Sequence, residues 1–167
     1  QKLILEKEPF PAPKRNIYEE KAHVVVSKKR SLEAARAYKG TKTAVHNFAS
    51  AKNPGGGVVN GASAQEECLC RCSDLYFCLN TNEMMNGFYY PHRAMSSLLY
   101  NGDVIYTPDI IVFKSDDASP RTMPEKDWYE VDIITCAAPN LRHGIPGGNM
   151  DLRTIHETRL RRMLDIA

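Results

Sequence analysis

Two adjacent acids, Glu66 and Glu67, follow a run of three glycines, Gly55-Gly56-Gly57, by a short spacer. Glycine has no Cβ, so such a run lets a ligand approach backbone N–H groups, and a strand, a glycine loop and a helix start in succession form a general geometry for gripping a phosphate or a sugar. Consecutive helical residues point about 100° apart, so the two carboxylates cannot share one role. Glu66 is expected to serve the helix start, in a capping box opened by Ser63, and Glu67 to point toward whatever the loop holds. The named nucleotide fingerprints do not fit: there is no G-x-x-x-x-G-K-[ST], and no G-x-G-x-x-G follows Val45.

Other chemistry-bearing groups are weaker. Cys68, Cys70, Cys72 and Cys78 suggest zinc by number alone. On a helix, however, Cys70 lies about 200° from Cys68, which shares a face with Cys72, so the expectation is buried or half-buried thiols and no metal. His46, His92, His143 and His156 show no H-E-x-x-H spacing and receive no role. Phe88, Tyr89 and Tyr90 read either as an aromatic wall for adenine or as packing beside Pro91.

The elements that must position these residues follow from pattern. Pro9, Pro11 and Pro13 predict an extended lead-in that wraps the surface. His23 to Ser27 reads as a strand, and Ser31 to Tyr38 as a helix capped by Ser31 and closed by Gly40. Thr43 to Phe48 reads as a buried strand that empties into the glycine loop, and a helix then runs from the Ser63 cap to about Leu79. Asp103 to Tyr106 and Ile110 to Phe113 read as strands around Thr107-Pro108, and Tyr129 to Cys136 is the strongest strand signal. Pro146-Gly147-Gly148 reads as a second glycine-rich loop. A helix from Asp151 follows, with Leu152, Ile155, Leu160 and Leu164 on its packed face. Alternating strands and helices imply an α/β domain with a parallel or mixed sheet.

A chain of 167 residues with 43% apolar content suits one domain over residues 1–167, and 22 Lys and Arg against 20 Asp and Glu argue against a nucleic-acid groove. No apolar run approaches the roughly 20 residues of a membrane-spanning helix. The odd cysteine count with no secretory segment points to a reducing compartment, so the expected location is cytoplasmic, or nuclear in a eukaryote. An opening on Gln1 and an end at Ala167 without a stop signal predict part of a longer protein.

Gly55-Gly56-Gly57 followed by Gln65-Glu66-Glu67 resembles the signature of the bacterial-type poly(ADP-ribose) glycohydrolases of the macro-domain class. Asn47-Phe48-Ala49-Ser50-Ala51, Leu69-Cys70-Arg71, Leu75-Tyr76, Tyr106-Thr107-Pro108 and Ala138-Pro139-Asn140 resemble the same family's core. The resemblance implies a mixed sheet flanked by helices, with ADP-ribose across the carboxyl ends of the strands and its distal ribose on the glycine loop. It makes Glu67 the catalytic acid. Gly55, Gly56, Gly57 and Val58 would bind substrate, with Gln65 and Glu66 fixing the ribose and the loop, and Asn53 bonding a ribose hydroxyl. No cofactor is implied. The expected partners are ADP-ribose and poly(ADP-ribose) on modified proteins. The resemblance fails at the C-terminal end, where the family continues into a strand and a second, diphosphate-wrapping loop for which Gly144 to Gly148 is no substitute. The domain is therefore expected to be truncated there, with a further segment or a second chain supplying that half.

The mechanism this suggests is hydrolysis of a ribose–ribose bond by one carboxylate, Glu67, acting as acid and then base. The usual glycosidase pair flanks its bond across roughly 5 to 9.5 Å, which diverging neighbours on a helix do not provide. Two rival functions use the same site: a module that reads ADP-ribose without cleaving it, and a hydrolase of single ADP-ribose units on proteins.

Overall fold

The computed structural model describes residues 1–9, 19–141 and 152–167. Its sheet is organised around the segment with the strongest strand signal in the sequence, Tyr129–Ala137, which lies third in a four-stranded order. In chain order the strands are β1 (Lys2–Ile4), β2 (Ala44–Ala49), β3 (Val104–Val112) and β4 (Tyr129–Ala137), and in space they run β1-β3-β4-β2. β4 is parallel to β2 and antiparallel to β3, and β3 is antiparallel to β1, so the sheet is mixed, as the alternation of elements implies.

Side chains alternate across a strand, and β4 uses both faces. Val131, Ile133 and Ala137 enter the larger core with Leu69, Leu75, Leu79, Met84 and Phe88, while Ile134 and Cys136 pack with Ile4, Val104 and Met163 on the other side. Burial on both faces explains why Ile133 and Ile134, and Cys136 and Ala137, are apolar neighbours rather than alternating with polar residues.

The larger core is covered by α1 (Ser31–Arg36), α2 (Gln65–Cys72), α3 (Leu75–Leu79) and a helical stretch made of α4 (Asn82–Met84), a π turn (Met85–Tyr89) and α5 (Tyr90–Ala94). The opposite face is covered by α6 (Leu152–Ile166).

Several expectations are corrected. Residues 23 to 27 form no strand: Val24, Val25 and Val26 are exposed and have no neighbouring strand, which β-branched residues need before their preference counts. Ser31 is the first residue of α1 rather than its cap. Arg30 holds the cap position, its N–H donating to Glu33 Oε2 at 3.3 Å, and the Ser31 hydroxyl accepts from Gln65 Nε2 instead. The helix expected to reach Leu79 stops at Cys72, whose carbonyl accepts N–H groups of Phe113 and Lys114, and Ser73 bridges to Val112. Tertiary pairing with the end of β3 outcompetes helix continuation there.

The two strands expected around Thr107-Pro108 are one. β3 runs through a bulge between Thr107 and Ile110, which accommodates Pro108 where no N–H is available. Asp109 takes φ +56° in that bulge, and its N–H and the Tyr106 hydroxyl both donate to buried Asp132. On α6, Leu160 and Leu164 are exposed; the packed face instead carries Met163 and buried Arg159, which donates to Ala137, Leu99 and Tyr100 carbonyls. Lys2–Ile4, expected as lead-in, forms an edge strand. The expected course of residues 11 to 13, the loop at 146 to 148, His143 and the cap at Asp151 lie outside the described residues.

Candidate active site

β2 delivers the chain to the glycine loop and α2 returns beneath it. The handover is fixed by Gln65, the first residue of α2. Its Nε2 donates to the His46 carbonyl at 2.7 Å and its Oε1 accepts the Phe48 N–H at 3.0 Å, so one amide occupies two backbone groups on the outer edge of β2. The start of α2 is thereby set against the carboxyl half of β2.

This placement overturns the expected capping box. Ala64, not Ser63, holds the cap position with no side-chain cap bond, and Glu66 turns into the protein. Glu66 is 3% exposed; its Oε2 accepts the Ser50 N–H at 2.7 Å and its Oε1 accepts Asn47 Nδ2 at 3.3 Å. Asn47, fully buried, also donates to Thr135 Oγ1 on β4. Glu67 is 7% exposed, and its carboxylate does not turn away from that of Glu66 as expected: Glu67 Oε1 and Glu66 Oε2 both close on Gly56. Glu67 Oε1 accepts the Gly57 N–H at 2.8 Å, while the buried Glu67 Oε2 has no hydrogen-bond partner among the described residues.

The loop shape makes this possible. Gly55 and Gly56 have φ +65° and +59°, a conformation that L side chains disfavour. A Cβ on Gly56 would stand 2.4 Å from Glu67 Oε1 and 3.0 Å from Glu66 Oε2, so glycine is needed there for space as well as for backbone freedom. The loop closes on itself through Gly56 N–H to Asn53 carbonyl and Val58 N–H to Gly55 carbonyl. Asn53 itself is exposed and accepts from Arg93 Nη2, and Arg93 Nε donates to the Lys52 carbonyl. Val58 begins a short 3-10 turn, Val58–Asn60.

Electrostatics follow from burial. Desolvation pushes the Glu66 carboxyl from its ordinary 4.5 up to about 7. The Ser50 amide and Asn47 oppose the rise, and the neighbouring Glu67 charge adds to it. Burial, then the Glu66 and Glu67 charges, push the Cys70 thiol up to about 12, so it stays protonated and is no nucleophile at neutral pH. Burial and the Glu66 charge likewise raise the Tyr89 hydroxyl, which lies in the core without a partner among the described residues.

All five cysteines are buried or half-buried free thiols. Phe88 and Tyr89 are fully buried in the core, so they belong to the packing reading, while Tyr90 is half exposed under the Arg93 guanidinium. His92 is buried between the Phe88 carbonyl and Asn101.

The structure therefore brings Gly55, Gly56, Gly57, Gln65, Glu66 and Glu67 together. Sequence reading assigned nothing to Asn47, Ser50 or Arg93. For Asn47 and Ser50 the available signal was the Asn47 to Ala51 segment, noted for its resemblance without a role; Arg93 carried none. A cavity of about 590 Å³, lined by Lys39, Lys42, Trp128 and Asp132 among others, lies at the other end of the parallel strands. It gathers no orphaned carboxylate and no glycine loop. We therefore favour the glycine-loop site, on its chemistry.

Residues 6–115 match the family model described as the microbial-type PARG catalytic domain. Among solved structures, the chain is 35% identical to poly(ADP-ribose) glycohydrolase (PARG) from Thermomonospora curvata bound to the inhibitor ADP-HPD, covering 84% of this chain and 52% of that one with a TM-score of 0.75. It is 37% identical to the Deinococcus radiodurans enzyme in complex with ADP-ribose, covering 84% and 56% with a TM-score of 0.70. The chain thus spans about half the length of these relatives. No curated protein sequence matches it.

Two outcomes follow from the geometry. Gly40 also has positive φ, +88°, but nothing within 4 Å of its would-be Cβ. Gly40→Ala is therefore expected to cost about 1 kcal/mol of backbone strain, and Gly56→Ala at least about 2 kcal/mol more through the carboxylate clash. Urea unfolding of both variants checks this, and equal losses would contradict it. Secondly, because the Glu66 pKa is raised on folding, the folded chain binds the extra proton between about pH 4.5 and 7. The stability linked to that proton is complete below about pH 4.5 and is lost as pH rises through about 7, a span of roughly 3 kcal/mol. Glu66→Gln should flatten that descent in unfolding midpoints taken across the range; an unchanged slope would contradict the assignment.

Proposed function

The chain belongs to the microbial-type poly(ADP-ribose) glycohydrolase family, and we propose that it hydrolyses the ribose–ribose O-glycosidic bond of poly(ADP-ribose), releasing ADP-ribose, with Glu67 as acid and then base. The observation that carries the reading is the state of the Glu67 carboxyl. One oxygen is fixed by the Gly57 amide at 2.8 Å, and the other is buried and unpartnered beside the glycine loop. A carboxyl oriented through one oxygen leaves the second for proton transfer.

In the proposed reaction Glu67 Oε2 donates its proton to the leaving ribose oxygen as the glycosidic C–O bond breaks, and the bonding pair departs with that oxygen. The oxocarbenium-like sugar then takes up water while the Glu67 carboxylate accepts a proton from it, which restores the starting state. Gly55, Gly56, Gly57 and Val58 form the wall for the distal ribose. Glu66, tied to Ser50 and Asn47, holds the loop base and offers an oxygen to a ribose hydroxyl, and Gln65 keeps α2 in register with β2. Asn53, oriented by Arg93, stands at the rim for a further hydroxyl contact.

The ADP-ribose complex of the Deinococcus enzyme and the inhibitor complex of the Thermomonospora enzyme support the ligand class. On this reading the fold is of the macro-domain class, the site lies at the carboxyl end of β2, and the substrates are ADP-ribosylated proteins of the cytoplasm or nucleus.

Glu67→Gln keeps the shape and the Gly57 contact but cannot cycle a proton. It is expected to lower release of ADP-ribose from the polymer by at least about a hundredfold while ADP-ribose still binds, measured by product chromatography and by titration calorimetry. Full turnover by the variant would sink the proposal.

A further inference from the structure

One helical turn beyond Glu67, the same face of α2 opens into a second recess that the proposed reaction leaves unused. Cys70 and Arg71 follow Glu67 by three and four positions and so share its face. The glycine loop roofs both places. A Cβ on Gly56 would strike Glu67, while one on Gly55 would come within 3.1 Å of Cys70 Sγ and 2.9 Å of the Tyr76 ring. The recess holds about 330 Å³ and is lined by Val59, Tyr76, Phe77, Phe113, Arg71 and Lys114, among others.

Its surface is unusual for solvent contact. Phe77 is 74% exposed and Val59 70% exposed, and both line a recess that carries two cations and, among the described lining residues, no acid. The Lys114 ammonium stands 5.6 Å over the Phe113 ring, and the Arg71 guanidinium is braced by the Ala62 carbonyl and Cys68 Sγ. The one carboxylate on the adjoining turn, Asp74, is turned to the Ile111 N–H. Flat aromatic faces beside fixed positive charge suit an adenine joined to a diphosphate.

We infer that this recess receives the neighbouring ADP-ribose unit of the polymer, on the leaving side of the bond that Glu67 cleaves, with adenine against Phe77 and diphosphate toward Lys114. The inference rests on the hydrolase reading above, and it assigns the chain a second nucleotide subsite that favours a polymer over a single ADP-ribose.

The test compares ADP-ribose with its ribose-linked dimer by titration calorimetry, using the chain with Glu67→Gln so that the dimer survives. The dimer is expected to bind at least about fivefold tighter than the monomer. Phe77→Ala and Lys114→Glu, both outside the core, are each expected to erase most of that advantage while leaving monomer affinity unchanged. Equal affinities for dimer and monomer, or an advantage that survives both substitutions, would overturn the subsite and leave the hydrolase reading standing. Failure of both ligands to bind would overturn the two together.

Discussion

Two neighbouring carboxylates folded beneath a three-glycine loop set the terms for everything around them. Removing Glu66 and Glu67 from water is costly, and the structure offsets the cost with hydrogen bonds: Ser50 and Asn47 for one, Gly57 for the other. The offset is incomplete. Glu66 has its carboxyl lifted to about 7, and Glu67 keeps one oxygen without a partner. Such residual cost is expected where residues are placed for chemistry rather than for stability.

The remaining architecture reads as support for that placement. The Gln65 amide locks α2 to the edge of β2, Asn47 links Glu66 to Thr135 on β4, and β4 is buried on both faces, so the acids are tied to a strand within the core. At the opposite end of the parallel strands, Asp132 performs a purely structural task by gathering Tyr106, Asp109 and Lys42 around the β3 bulge. A cavity of about 590 Å³ sits at that end, without an orphaned carboxylate or a glycine loop.

Local patterns carried much of this in the sequence. β2, the glycine loop and β4 are legible because apolar runs and consecutive glycines mean nearly the same thing in any context. The separate partners of Glu66 and Glu67 agree with helical geometry, but the close approach of both carboxylates to Gly56 does not follow from it. Where sequence reading failed, a distant residue had changed the local balance. Ser63 and Glu66 form a good capping box on paper, but Ser50 and Asn47 give the Glu66 carboxylate better partners from β2. Val24 to Val26 lack any strand to join. Helix α2 ends early because Phe113 and Lys114, some forty positions away, take the Cys72 carbonyl. Leu160 and Leu164 suggest a packed face on α6, yet Arg159 reaches three carbonyls and takes the buried side with Met163. None of these contacts leaves a periodicity to read.

The account stands most directly on where ADP-ribose binds, and amide-resolved nuclear magnetic resonance during an ADP-ribose titration answers that question. The predicted result is that the amide signals of Gly55, Gly56, Gly57 and Val58 shift in proportion to ligand bound, with Ser50 and Glu67 following, while Lys39 to Thr43 stay in place. Shifts confined to the cavity around Lys42 and Asp132, with the glycine loop unmoved, would contradict it.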